Sequence, residues 1–148
     1  LSKGIRYHKL YSSNEIKVHS REERVIIITV LLMISEKVTI EQLAEKLQVS
    51  KNTVVQDLRP AEEFLKKHEV RLIKKSYYGM SLKGEEEQIR NTLFNLYIKT
   101  ASEGSLNILH ILKDHAEVDP EAGRNMIRRV EAAMGIRLRM NPSGNWKA

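Results

Sequence analysis

Lys51, Asn52, Thr53, Gln56 and Arg59 follow one another at a spacing that presents polar groups from the outer side of a helix, and each type can read the edge of a nucleic-acid base. Arg or Lys can donate to guanine, Asn or Gln can pair with adenine, and Thr can contact a thymine methyl or a phosphate. Ser50 stands directly before them, with a hydroxyl suited to capping a helix that starts at Lys51. A second cluster, Lys74, Lys75, Tyr77 and Tyr78, falls in a turn-like stretch where cations would meet phosphates or a minor groove. Two adjacent aromatics at a basic turn could instead pack on a core, so the two lysines carry more weight than the tyrosines.

These residues need a scaffold, and the pattern around them supplies one. Ser20 and Glu23 have capping-box spacing, and Arg24 to Ser35 then reads as a helix, apolar from Val25 through Met33 and so expected at the core. Thr39 and Gln42 repeat the capping box ahead of a helix from Ile40 to Leu47, whose Ile40, Leu43, Ala44 and Leu47 share a face. The third helix carries Val54, Val55, Leu58, Ala61, Phe64 and Leu65 as its apolar positions. That stripe continues through Pro60, which predicts a kinked but continuous helix rather than a break at Arg59. Val70 to Ile73 and Met80 to Leu82 read as two short strands joined by a turn over Ser76 to Gly79. Helical periodicity returns from Glu85 to Ala101, with Ile89, Leu93, Leu96 and Tyr97 on one side and Gly104 as its stop. Leu106 to His115 and Pro120 to Met134 are two further expected helices, the latter capped at Gly135, and the Asn141 to Asn145 tail is turn-rich.

Helix, helix, short turn, helix and hairpin is the order of a winged helix-turn-helix, so the expected fold is mainly α with a small β-hairpin wing, followed by a helical subdomain. Charge follows this division. The 148-residue chain has a formal charge of +6, and residues 51–83, with eight bases and four acids, hold a net +4 on the predicted reading helix and wing. Residues 84–120, with three bases and seven acids, hold a net −4 behind them.

The same composition excludes several chemistries. Without cysteine there is no disulfide scaffold, thiol catalysis or Cys-based zinc site. The longest apolar run, Val25 to Ile34, is far short of the ~20 residues that span a bilayer. His110 and His115 are five apart, not the i, i+4 pair of a metal site, and no Gly-rich phosphate loop or nucleophile elbow is present. The expectation is a non-enzymatic, cytoplasmic protein with no cofactor, no metal and no membrane partner. A start at Leu1 rather than Met reads as a piece cut from a longer protein.

The stretch TIEQLAEKLQVSKNTVVQDLR (Thr39 to Arg59), followed by the wing IKKSYYGMSLKG, resembles the winged-helix domains of bacterial transcription regulators that carry phosphotransferase-system regulation domains, such as the mannitol and lichenan operon activators. The LAEKL…VSKNTV…DL core is its most specific part and is shared more loosely with the biotin-repressor DNA-binding domain. The resemblance implies a sequence-specific DNA-binding regulator of a carbohydrate-uptake operon. Its partners would be double-stranded DNA, a second copy of the chain, and phosphotransferase-system proteins reached through regions beyond residue 148. The family places Gly where this chain has Gln48, and Pro60 is unusual for it. Members carry two winged helices in tandem, which divides the chain into the end of a preceding module over 1–20, the DNA-binding domain over 21–84 and a helical segment over 85–148 leading toward a regulation domain. Residues 1–10, with Gly4-Ile5-Arg6-Tyr7, are then expected to be the last wing strand of the preceding module. Two other readings stay open: a protein–protein or dimerisation module without DNA contact, and an RNA-binding antiterminator, although such relatives use a β-rich module that this chain lacks.

Overall fold

The computed structural model describes residues 19–76, 78–104, 120–140 and 146–147, together with Ile108, His110, Ile111 and Asp114. The last wing strand of a preceding module, expected over 1–10, therefore lies outside the described residues. The elements in chain order are α1 (Arg21–Ile34), α2 (Ile40–Leu47), α3 (Lys51–Lys67), β1 (Arg71–Lys75), β2 (Gly79–Lys83), α4 (Glu86–Glu103), α5 (Pro120–Met134), β3 (Arg139–Met140) and β4 (Trp146–Lys147). The fold is a winged helix-turn-helix with further helices packed behind it.

Side chains set the starts of the first three helices. Ser20 and Thr39 each accept from the backbone N–H three residues on, and Glu23 and Gln42 reach back to close two complete capping boxes. Helix α1 begins at Arg21, three residues before the expected Arg24, because the first helical turn follows its cap directly. Ser50 Oγ accepts from Thr53 N–H at 3.1 Å and starts α3.

The stops differ in chemistry. Helix α2 ends at Gln48 with φ 56° and ψ 45°, a left-handed conformation that costs a non-glycine residue about 1 kcal/mol. Two contacts offset it: Gln48 Nε2 donates to the Glu45 carbonyl at 2.7 Å, and Val49 N–H reaches back to the Ala44 carbonyl at 3.1 Å. Glu69, at φ 62°, repeats the device after α3, where buried Val70 donates to the Leu65 carbonyl at 2.9 Å.

Helix α3 is continuous through Pro60. Proline removes one backbone hydrogen bond and costs about 3 kcal/mol in a helix interior. Val54, Leu58, Ala61 and Leu65 are all buried on one face, two on each side of the proline. A break at Arg59 would take one half of this stripe off the core, so packing holds the helix in one piece.

The wing is an antiparallel pair running Arg71↔Lys83 to Lys75↔Gly79. Both strands reach further toward the tip than expected: β1 spans Arg71–Lys75 without Val70, and Gly79 belongs to β2 rather than to the turn. A third, one-residue element is Val38, which bridges Met80 through two backbone hydrogen bonds of 2.9 and 2.7 Å. Gly79 sits at φ +90°, and a Cβ there would stand 2.9 Å from the Val38 carbonyl oxygen, so only glycine fits both the turn and this approach.

A single hydrophobic cluster runs from Ile26 to Val130. Ile28, Leu32, Leu43, Val54, Leu65 and Val70 form its winged-helix part, and Ile89, Leu93, Ile108 and Val130 extend it into the later helices. The buried Thr29, Thr92 and Thr100 each return their hydroxyl to the carbonyl four residues back, at 2.7, 2.6 and 2.9 Å, so none is left unsatisfied. Helices α4 and α5 stop at left-handed Gly104 and Gly135, as expected. Arg129 of α5 ties them to the winged helix: its guanidinium bonds Glu86 Oε1 at 2.8 Å and Oε2 at 3.3 Å and also reaches the Met33 carbonyl in the last turn of α1.

Candidate nucleic-acid interface

Helix α3 has two faces. Val54, Asp57, Leu58, Ala61 and Leu65 are buried, and Lys51, Asn52, Val55, Gln56 and Arg59 are exposed on the opposite side. Four of the residues expected from the sequence, Lys51, Asn52, Gln56 and Arg59, therefore share one solvent-facing stripe. Val55 is a correction. It was grouped with the apolar core positions, but it is 41% exposed and stands within the stripe. At about 100° of rotation per residue, Val55 lies about 100° from Val54 and about 120° from Ala61, so it falls beyond the edge of the buried seam.

Ser50 and Thr53 occupy a different position. Ser50 Oγ serves as the cap of α3 and lies 2.9 Å from Thr53 Oγ1, so the two hydroxyls are engaged with each other and with the helix terminus. Thr53 is half-buried. Lys51 Nζ is 3.3 Å from Glu41 Oε1 of α2, and both side chains are about two-thirds exposed. Glu41 is held below the ordinary carboxylate range, first by its own backbone N–H and then by Lys51. Arg59 has no ion pair among the described residues.

The wing lysines are parted rather than paired. Successive strand residues point to opposite faces. Lys74, opposite the buried Met80, reaches back to Glu62 on the second half of α3 at 3.4 Å. Lys75, opposite Gly79, points the other way, into a cleft lined also by Glu36, Lys37, Tyr78 and Ser81. Tyr78 is 66% exposed, so it is not a core aromatic. Tyr77 lies outside the described residues.

Two features of the site were missed in the sequence. The first is Lys37, which comes from the α1–α2 connection to the same cleft as Lys75. No spacing signals it, because the cleft forms only when Val38 bridges Met80. The second is Asp57, whose side chain is 2% exposed on the buried face of α3. Arg24 of α1 donates to it through Nε at 2.7 Å and more weakly through a second nitrogen at 3.5 Å, and Arg21 Nε lies 3.6 Å away. The hydrogen bond to Asp57 holds the Arg24 guanidinium above its ordinary range. This buried ion pair fixes the rotation of α3 against α1 and so aims the outer stripe. Strict i, i+3, i+4 counting from Val54 would have placed an acid in the buried seam and flagged it.

The arrangement is a helix with a row of hydrogen-bond donors and acceptors facing outward, flanked by a short hairpin bearing cations on both faces. Among the described residues, no helix is long and apolar enough to cross a membrane. Residues 11–97, more than half of the chain, match the family model of the Mga helix-turn-helix domain. No curated protein and no solved structure matches the chain. The match spans α1 to α3, both wing strands and the first part of α4, and by it the chain belongs to the Mga helix-turn-helix domain family, a family of DNA-binding regulatory domains.

Proposed function

We propose that the chain reads double-stranded DNA sequence-specifically within a transcriptional regulator of a carbohydrate-uptake operon. The N-terminal half of α3 lies in the major groove, and the hairpin lies on the backbone. The observation that carries this reading is the outward row of Lys51, Asn52, Gln56 and Arg59, set opposite the buried seam of a helix in a helix-turn-helix family. Ser50 and Thr53 at the helix start contact phosphate through the exposed edge of the cap, and Lys74, Lys75, Lys37 and Tyr77 supply backbone contacts. The link to sugar uptake is supported by the resemblance of residues 39–84 to the phosphotransferase-linked regulators. On that reading residues 1–20 end a preceding module, residues 21–84 bind DNA, residues 85–148 lead toward a regulation domain, and the helices over 85–134 bring two copies onto paired half-sites.

Titration of the intact protein onto duplex genomic fragments tests this. Affinity should fall linearly in log–log with salt, with a slope near −0.9 per phosphate contact. Arg59→Ala and Lys51→Ala should each weaken operator binding by roughly 1–3 kcal/mol for a base contact, with little change in Tm. No duplex binding at low salt refutes the reading. Loss of folding in both variants makes those side chains structural.

A further inference from the structure

We propose that Val55 reads a thymine by its methyl group; the inference rests on the DNA-reading assignment of α3. A single exposed aliphatic residue on a protein surface is ordinary and demands no explanation by itself. The position of this one is the argument. Val55 is one helical turn beyond Lys51 and one turn before Arg59, and Asn52 and Gln56 stand beside it, so a 41% exposed isopropyl group is ringed by four polar reading side chains.

Such a setting is poor for an apolar protein partner. Contact with Val55 would bring Lys51, Asn52, Gln56 and Arg59 into the same interface, and a dry surface would strip them of water without giving them partners. The major groove meets both needs at once. It offers guanine and adenine acceptors and donors to the four polar residues, and the C5 methyl of thymine is its one apolar feature. Val55 also adds little to the core. It is absent from the partly buried residues packed against the hydrophobic core, and a β-branched residue on an exposed helix face lowers helix propensity relative to alanine.

The test uses the intact protein and removes the methyl from either side. Binding sites are first selected from a random duplex pool, and each thymine of the selected site is then replaced in turn by deoxyuridine, which lacks only that methyl. Burial of one methyl corresponds to about a three- to fivefold change in Kd. Wild type should lose that factor at one thymine per half-site. Val55→Ala should bind the thymine duplex correspondingly more weakly and be insensitive to deoxyuridine at the same position. Val55→Thr, which keeps one methyl and the β-branch, should retain part of the sensitivity. The side chain is on the outer face, so unchanged far-UV circular dichroism is expected for both variants. If no thymine position is sensitive, or if Val55→Ala stays as sensitive as wild type, the proposal is overturned while DNA binding stands. If wild type selects no duplex at all, the DNA-reading assignment of α3 falls and this inference falls with it.

Discussion

Removing Arg24 measures how firmly α3 is held against α1. In Arg24→Met the carboxylate of Asp57, 2% exposed, loses its 2.7 Å partner and, among the described residues, keeps Arg21 at 3.6 Å. Arg21 is 61% exposed and well hydrated, so it compensates little. Breaking a buried pair from one side costs 3–5 kcal/mol in general; the residual Arg21 contact puts the loss here at about 3 kcal/mol. For a domain of this size that corresponds to a fall in Tm of about 6–12 °C. The double variant Arg24→Met/Asp57→Leu removes both charges and refills the seam with apolar atoms, and it should return to within about 1 kcal/mol of wild type. Urea unfolding of all members, followed by far-UV circular dichroism, gives the coupling energy, expected at about 2 kcal/mol or more. Because Arg24 is held above its ordinary range, its contribution is fully present at neutral pH and is lost only in strong alkali. If Arg24→Met unfolds within about 0.5 kcal/mol of wild type, or if the two single losses simply add, Asp57 does not pin α3 in the way described.

Gly79→Ala should destabilise the protein by about 2 kcal/mol or more, because φ +90° and a 2.9 Å approach to the Val38 carbonyl both exclude a Cβ. Amide exchange at Met80, whose N–H bonds Val38, should accelerate with it; an unchanged Tm and unchanged protection refute the argument. Glu41→Gln should tighten duplex binding by about two- to fivefold, since it frees Lys51 and removes a negative charge beside the reading face. Glu41 has a lowered pKa, so the Glu41–Lys51 pair contributes above the ordinary carboxylate range and is lost only as pH falls through the lowered value. Equal affinity of variant and wild type shows that Lys51 takes no part in binding.

The helix starts were legible because each is written in one local group: Ser20, Thr39 and Ser50 all cap as their spacing implied. The stop of the helix over Ile40 to Leu47 was legible too, at the position where the resembled family places glycine, but the one at Glu69 was not, because a left-handed glutamate has no local mark. The polar stripe of α3 was legible, and Lys51, Asn52, Gln56 and Arg59 share one exposed face. Val55 groups with the core by its apolar type, but its helical phase sets it about 100° from Val54. Asp57 and the separation of Lys74 from Lys75 depend on partners distant in sequence. Arg24 lies 33 residues from Asp57, and Glu62 lies 12 from Lys74. The final antiparallel pair, Met140↔Trp146 and Arg139↔Lys147, has no counterpart in the sequence pattern, since a two-residue ladder has no periodicity to detect.

Arg129 joins α5 to the winged helix at the end of α1. Helix α1 has no basic residue in its last turn, and Arg129 supplies that charge from 96 residues away while gripping Glu86 in the first turn of α4. The helix α1 is therefore tied by side chains at both ends, to Asp57 of α3 near its start and to α4 and α5 at its finish.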